Sequence, residues 1–318
     1  MPDRTDLRRL ARRVREGDLP AVARAISFVV DDRPGSEDLA KELYLGSSAV
    51  HKVGLAGPPG SGKSTLTGRL ISYWRGLGLK VGVLAVDPSS PVSGGAFLGD
   101  RLRIQDHSGD PGVFIRSLAT RGRVGGLTPT IFGAIHVLEA AGFQKIIIET
   151  VGVGQDEVEI AHAADTVLYV VTPGLGDEIQ ALKAGIMEIG DIFVVNKADL
   201  QGKDKAVADL RRALAIGAEA SPDGDWSAPV LATSALTGEG IEALGEAIER
   251  HKAHLDSSGQ RGRRLKDQLR AEVSLYLARR ISRSVEERLT ESHLAALVDR
   301  KTDPVTLGHE LLAGRGGA

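Results

Sequence analysis

The stretch that most restricts the fold is Gly57-Pro-Pro-Gly-Ser-Gly62-Lys63-Ser64, which fits the pattern G-x-x-x-x-G-K-[ST]. It follows directly on a short apolar run, His51–Ala56, and opens a helical one, Thr65–Tyr73. In that setting the glycines let successive backbone N–H groups turn inward onto phosphate oxygens, and the helix amino terminus adds the positive end of its dipole. Gly57, Pro58, Gly60, Ser61 and Gly62 form the cradle. Lys63 is placed to reach the β and γ phosphates, the Ser64 hydroxyl to ligate Mg2+, and Thr65 to meet the α phosphate. A glycine-rich turn with an incidental lysine has no need of strand, loop and helix in this order. The segment predicts binding of a nucleoside triphosphate.

Short strand-like runs alternate with helical stretches from about residue 50 to residue 255: His51–Ala56, Val81–Val86, Gly112–Ile115, Lys145–Glu149, Thr166–Val171, Ile192–Asn196 and Pro229–Ala232. Such alternation predicts an α/β domain whose mostly parallel sheet is covered by helices on both faces, with ligands at the carboxyl ends of the strands. The chain then divides into an N-terminal helical extension (1–45) broken at Pro34–Gly35, a nucleotide-binding domain (46–255) and a C-terminal helical arm (256–318). In the arm Leu265, Leu269, Val273, Tyr276, Leu277, Ile281, Val285 and Leu289 recur at helical spacing over about seven turns. A stripe of that length either docks on the central domain or pairs with a second chain. The sequence carries no internal repeat and no low-complexity segment.

Composition narrows the function classes. With 318 residues, 42% hydrophobic and 26% charged, the chain is an ordinary globular protein of one large domain or two smaller ones. It has no cysteine, which excludes disulfides, thiolate metal sites, Cys-ligated iron–sulfur clusters and a Cys nucleophile. A net charge of −2 gives no overall pull toward nucleic acid or an anionic membrane, and 4% aromatic content argues against base-stacking surfaces. The most apolar windows are strand-length, far short of a membrane span. Leu7–Arg15 is Arg-rich and amphipathic like a mitochondrial transit peptide, but Asp3, Asp6, Glu16 and Asp18 break the acid-poor rule of such peptides. A surface helix with Leu7, Leu10, Ala11 and Val14 on one face is expected instead. The expectation is a soluble cytoplasmic protein that binds neither nucleic acid nor membrane.

The base is read from Asn196-Lys197-Ala198-Asp199, which follows the run Ile192–Val195. The Asp199 carboxylate suits the paired donors of guanine, its N1–H and 2-amino group, which adenine lacks. Asn196 is placed to tie this loop to the phosphate loop, and the Lys197 stem to lie along the base plane. Thr233-Ser234-Ala235 follows the next run, where a backbone N–H of Ser234 or Ala235 can meet guanine O6. Three acids end strands or sit in the loops beyond them: Asp87, Asp100 and Glu149. Mg2+ prefers one or two carboxylates with water and phosphate oxygens, so these three suffice for its surroundings. The Gly152 N–H is placed to sense the γ phosphate, with the stretch through Gln155 responding to its loss.

Taken together, the motifs resemble the MeaB/ArgK family of P-loop GTPases, which includes the methylmalonic aciduria type A protein. The resemblance rests on the phosphate loop, Val86-Asp87-Pro88-Ser89-Ser90, Gly94-Gly95, Leu98-Gly99-Asp100, Ile115–Gly122, Glu149-Thr150-Val151-Gly152-Val153-Gly154-Gln155 and Asn196–Asp199. It runs from about Gly54 to Ala235 and departs from the family pattern just before the first strand, at Gly46–His51. It implies a P-loop NTPase fold with a mostly parallel central sheet flanked by helices, plus N-terminal and C-terminal helical extensions. It implies a GTPase, using GTP/GDP and Mg2+, that serves an adenosylcobalamin-dependent acyl-CoA mutase of the methylmalonyl-CoA mutase kind by gating cofactor loading and protecting the enzyme. A homodimer built through the C-terminal arm is implied as well. Carried over by motif, Lys63 and Ser64 bind phosphate and Mg2+; Asp87, Asp100 and Glu149 surround the metal and the attacking water; Asn196 and Asp199 read guanine. A family segment that couples nucleotide state to the mutase falls here on Thr172–Lys183, with Gln180 and Lys183 its polar candidates.

Hydrolysis in such a site needs positioning and charge neutralisation more than covalent chemistry. The place directly after the D-x-x-G glycine, which holds the catalytic glutamine in small GTPases, is Val153 here; Gln155 stands two residues later as the candidate that positions water. Slow intrinsic turnover is expected. Arg116, Arg121 and Arg123 either answer phosphate charge or form an interface. Three rival readings stand beside this one: a Ni2+ or Zn2+ insertion GTPase, a P-loop small-molecule kinase, and a binding module whose nucleotide only sets conformation. The first lacks cysteine, and its histidines are scattered except His251 and His254, which read as a solvated helix end. The second has no use for a guanine reader. The basic stretch Arg261–Arg270 reads as a solvated helix face or a client surface.

Overall fold

The computed structural model describes residues 4–45, 47–87, 107, 109–119, 129–150, 159–174, 188–220 and 226–313. The chain divides into two compact units, Met1–Lys266 and Asp267–Ala318. Among the described residues of the first, seven strands form one parallel sheet: β1 (His51–Ala56), β2 (Val81–Asp87), β3 (Val113–Ala119), β4 (Lys145–Thr150), β5 (Thr166–Val171), β6 (Ile192–Val195) and β7 (Val230–Ala232). Their order is β3-β2-β4-β1-β5-β6-β7. The interior strands read as near-continuous apolar runs because helices cover both faces of a parallel sheet. The Lys145–Thr150, Thr166–Val171 and Ile192–Val195 strands are buried throughout.

The sheet extends three of the sequence-based runs. β2 continues to Asp87 and β3 to Ala119, and these two residues pair as the last rung of their ladder. The backbone ladder thus carries Arg116 and Ser117 into a strand that their side chains alone do not favour. β4 runs on to Thr150, paired with Val86.

Helix α1 (Arg4–Arg15), α2 (Leu19–Val30) and α3 (Ser36–Tyr44) make up the amino-terminal extension, and they pack on one another and on α5 (Pro129–Ala140). Leu7, Ala11 and Val14 are buried, as the amphipathic pattern requires. The Asp18 side chain caps α2 by accepting from the Ala21 N–H at 3.4 Å, and Pro20 sits in the first turn where no N–H is needed. Gly35 enters α3 at a φ of 91°. On the other side of the sheet, α4 (Lys63–Gly76) and α7 (Ile241–Ser257) close the main core, in which Leu55, Leu70, Trp74, Leu168, Leu244 and Ile248 have no solvent exposure. α6 (Lys203–Ala220) lies against β6 and β7.

Helix α8 (Gln260–Arg288) contains the boundary between the units. In the second unit α9 (Glu291–Val298) and α10 (Pro304–Leu312) follow it, which the single long stripe did not foretell. Thr290 caps α9 in a reciprocal box with His293, and Asp303 caps α10 by accepting from Val305 and Thr306. Leu307 and Leu311 are buried, and Arg288 donates to the Leu311 carbonyl at 2.8 Å. Val273, Tyr276, Leu277 and Ile281 of the stripe stand exposed.

A row of buried polar groups runs along the amino ends of the strands. Lys145 Nζ contacts His51 Nδ1 at 3.1 Å, His51 Nε2 meets Thr166 Oγ1 at 2.8 Å, and Thr166 Oγ1 meets His251 Nδ1 at 2.8 Å. His251 Nε2 lies 3.3 Å from Asp191 Oδ1. An ammonium only donates, so His51 Nδ1 accepts and its proton sits on Nε2; the direction then propagates through Thr166 to His251 and on toward Asp191. Arg264 grips both Asp191 carboxylate oxygens, at 2.6 and 2.8 Å, and donates to the Asp165 carbonyl at 2.7 Å. The Trp226 ring lies tilted against those of His251 and His254, and its N–H donates to the Asp191 carbonyl at 2.8 Å. Two expectations fall here. His251 is buried, not part of a solvated helix end, and Arg264 is an anchor within the basic stretch rather than a residue of a solvated face. Local composition marked both as polar; strands brought together from distant parts of the chain bury them.

Burial, reinforced by Lys145, Lys252, His251 and Lys52, pushes the His51 imidazole down from 6.5 to about 2. Between those values the unfolded chain holds a proton on His51 that the folded chain refuses, so stability rises with pH up to about 6.5 and falls as pH drops below it. Urea unfolding at pH 7, 6 and 5 is expected to show that decline. The His51→Gln variant should flatten the slope by up to about 1.4 kcal/mol per pH unit. Identical slopes for the two proteins would show that His51 does not titrate between the folded and unfolded states.

Candidate nucleotide-binding site

The order of the sheet decides where a ligand sits. β1 lies between β4 and β5, the chain going to one side for β2 to β4 and to the other for β5 to β7. At such a reversal the loops leave in opposite directions and open a crevice at the carboxyl ends. Leu55 pairs with Glu149 on one side and Leu168 on the other, so the loop after β1 emerges level with the end of β4.

That loop is the Gly57–Ser64 segment. Gly57 has a φ of 138°, and a Cβ there would overlap the Val170 carbonyl oxygen of β5, so only glycine fits. Gly62 caps α4 at a φ of 89°. The helix therefore begins at Lys63, two residues before the sequence-based start. Lys63 curls over the loop, donating to the carbonyls of Gly57 at 2.6 Å and Pro58 at 3.0 Å. The Ser61 hydroxyl is buried without a hydrogen-bond partner among the described residues. A buried hydroxyl left without a partner in a loop of this pattern is suited to an anionic oxygen.

Ser64 and Glu149 are brought together. The Ser64 hydroxyl donates to Glu149 Oε1 at 2.6 Å, and the Thr67 hydroxyl donates to Oε2 at 3.0 Å. Both hydroxyls lie on one face of α4, three residues apart, and Glu149, next to last in β4, meets them with 6% exposure. With its proton committed to the carboxylate, Ser64 Oγ keeps lone pairs for a hard cation. A hydroxyl and a carboxylate are the oxygen donors that Mg2+ takes, so the pair fits that ion. Thr67 did not emerge from the sequence; its spacing of three from Ser64 on a helix is the signal that points to it.

The base end is built from two loops. Asn196, 1% exposed, donates from Nδ2 to the Ser61 carbonyl at 2.9 Å, and its Oδ1 accepts from the Ala235 N–H at 3.1 Å and the Thr233 hydroxyl at 3.3 Å. One amide thus links the phosphate loop, the loop after β6 and the turn after β7. Lys197 takes the left-handed region, with a φ of 58°. Asp199 is exposed and accepts from the Ser234 hydroxyl at 2.5 Å, which, above its other partners, holds its carboxyl below the usual carboxylate range.

Asp87 closes β2, its side chain outside the described residues. Asp100, Gly152, Gln155, Arg121, Arg123, Gln180 and Lys183 also lie outside them. Arg116, one of the candidates for phosphate charge, donates instead to the Ser27 hydroxyl of α2 at 2.7 Å. Among the described residues no helix is long and apolar enough to cross a membrane.

Comparison with known proteins agrees with this geometry. The family described as methylmalonyl Co-A mutase-associated GTPase MeaB matches residues 22–290. A putative GTPase of Pyrococcus horikoshii is 46% identical over 93% of this chain and 94% of its own length. The mitochondrial methylmalonic aciduria type A homolog of Caenorhabditis briggsae is 34% identical over 84% of this chain and 69% of its own. A crystal structure titled LAO/AO transport system kinase superposes with a TM-score of 0.67 at 25% identity, covering 98% of both chains. A parallel seven-stranded sheet, a phosphate loop joined to a second loop through one buried asparagine, and a match over most of the sequence lead to one conclusion: this chain belongs to the MeaB family and is a P-loop GTPase.

Proposed function

We propose that the chain is a Mg2+-dependent GTPase that regulates an adenosylcobalamin-dependent acyl-CoA mutase, gating cofactor loading and protecting the mutase, and that it works as a homodimer. The observation that carries the nucleotide part is the Asn196 amide, which holds Ser61 of the phosphate loop and Ala235 of the base turn at the same time. The mutase part is supported by the family's description and by the relative associated with methylmalonic aciduria. The exposed stripe of Val273, Tyr276, Leu277 and Ile281 supports the homodimer, since an apolar helical seam of this length buries its surface best against a second copy.

In this reading Asp199 accepts from N1–H and the 2-amino group of guanine, and Lys197 lies along the base. Lys63 exchanges its two loop carbonyls for β and γ phosphate oxygens, and the Ser61 hydroxyl and the N–H groups from Gly60 to Thr65 complete the cradle. Ser64 and Glu149 would hold Mg2+, with Asp87 and Asp100 proposed beside them. Bound there, the ion offsets charge that builds on the phosphate oxygens during transfer to water. Gly152 and Gln155 are proposed to sense the γ phosphate and to position water. With Arg116 engaged by Ser27, the cationic help for the transition state is proposed to come from a docked partner that orders the site.

Three measurements test this. Calorimetric titration should give tight binding of GDP and a non-hydrolysable GTP analogue and weak binding of ADP, and Asp199→Ala should cost GDP about a hundredfold or more. Equal binding of ADP would overturn the base assignment. In Ser64→Ala the difference in GDP affinity with and without Mg2+ should shrink about tenfold or more, while a wild-type difference would place the ion elsewhere. Single-turnover hydrolysis should be slow for the isolated protein and faster with methylmalonyl-CoA mutase added; fast hydrolysis alone would contradict the partner-ordered site.

A further inference from the structure

Arg69 lies on α4, six residues beyond Lys63, and faces none of the groups so far given a role in the phosphate site. Its guanidinium donates from Nε to the Ala235 carbonyl at 2.7 Å and from Nη2 to the Leu236 carbonyl at 2.6 Å. It has no carboxylate partner among the described residues, so its charge is committed to two backbone carbonyls of the base turn.

The turn's own hydrogen bonds show what that grip sets. The Ser234 N–H goes to the Glu239 carbonyl at 2.9 Å and the Gly238 N–H to the Ser234 carbonyl at 2.8 Å. The Ala235 N–H goes to Asn196 Oδ1 at 3.1 Å and the Thr237 N–H to the Ser234 hydroxyl at 3.3 Å. From Ser234 to Gly238, the Leu236 N–H alone has no acceptor among the described residues. It belongs to the same peptide as the carbonyl that Arg69 Nε holds. The chain has no cis bonds among the described residues, and in a trans peptide C=O and N–H point in opposite directions. A guanidinium that fixes the Ala235 carbonyl toward α4 therefore fixes the Leu236 N–H away from it.

We propose that Arg69 is a positioning residue for base selection, which locks the Ala235–Leu236 peptide so that the Leu236 N–H is presented to the 6-oxo group of a purine. The inference deepens the guanine reading of Asn196–Asp199 and rests on it. A 6-oxo oxygen accepts this hydrogen bond; the 6-amino group of adenine sets a donor against a donor. Asp199 and Arg69 then divide the work. The carboxylate reads N1 and C2, and the arginine, through the peptide, reads C6. The same contacts close a loop of hydrogen bonds from α4 through Ala235 and Asn196 to Ser61 and back into α4.

The test is calorimetry of wild type, Arg69→Ala and Arg69→Lys with GDP, IDP, ADP and inorganic tripolyphosphate, all with Mg2+. IDP keeps the 6-oxo group and lacks the 2-amino group; tripolyphosphate reports the phosphate loop without a base. Arg69→Ala should weaken GDP and IDP by the same factor, about tenfold or more, and leave ADP and tripolyphosphate unchanged. Arg69→Lys, which reaches one carbonyl at a time, should fall between. Asp199→Ala should instead lower the GDP:IDP ratio. A parallel loss of GDP and tripolyphosphate in Arg69→Ala would mean that Arg69 only holds α4 in place, and unchanged GDP binding would mean that it does nothing for the base; either result overturns the proposal. Should Arg69→Ala not fold, Arg69→Lys carries the same comparison. If wild type itself does not prefer GDP and IDP to ADP, the guanine reading fails first, and that outcome is distinguishable because it needs no variant.

Discussion

The pairing of β1 with both β4 and β5 is the constraint on which the site depends. Because β1 sits between strands that come later in the chain, its carboxyl end is flanked by Glu149 on one side and by Val170 on the other. Parallel hydrogen bonding fixes the levels of these strand ends, so the phosphate loop, the acid that receives Ser64 and the wall against Gly57 are set by register rather than by the loop itself. β6 and β7 continue the same ladder and deliver Asn196 and Ala235 to one edge. A one-residue slip in any of these pairings would turn its side chains to the opposite face and dismantle the site without altering a single site residue.

The amino edge of the sheet is organised on a different principle. There Lys145, His51, Thr166, His251, Asp191 and Arg264 are joined by hydrogen bonds and ion pairs in a low-dielectric interior, where each polar group must find a partner or cost stability. Asp191 is the clearest case. Burial pushes its carboxyl up, yet Arg264 and His251 outweigh that and hold it below the ordinary carboxylate range. Lys145 goes the other way: burial lowers its ammonium despite the Glu249 carboxylate at 2.5 Å. Such a row adds less to stability than an apolar core of equal volume, but it admits few alternative arrangements, and Arg264 fixes the first turns of α8 to the start of β6.

Much of this was legible in the residues and some was not, for physical reasons. The phosphate loop announces itself because glycine, lysine and serine at that spacing serve one chemistry, and the buried strands because a sheet covered on both faces leaves continuous apolar runs. Asn196 is marked by its place in Asn-Lys-x-Asp straight after a buried strand, and it makes the tie to the phosphate loop that this place suggests. Arg116 and Ser117 in β3 obeyed their ladder rather than their propensity, and α9 and α10 follow on Thr290 and Asp303, caps that a stripe-counting reading passes over. His251 and Arg264 looked solvated because a polar side chain carries no mark of the partner that awaits it. A weak signal did exist: His51, Lys145 and Thr166 each stand first in a buried strand, where an apolar residue is the ordinary choice.

Gly62 has a consequence that reaches past the phosphates. A Cβ at this position would strike the Asn196 side-chain amide, the group that carries the link from the phosphate loop to the base turn. The methyl group that alanine would bring is small, yet it would enter the gap between two loops contributed by opposite halves of the domain. A glycine required by the phosphate motif is thus also the spacer that leaves room for the Asn196 amide, so the tolerance of the motif to change is set by a neighbour far along the chain as much as by the motif itself.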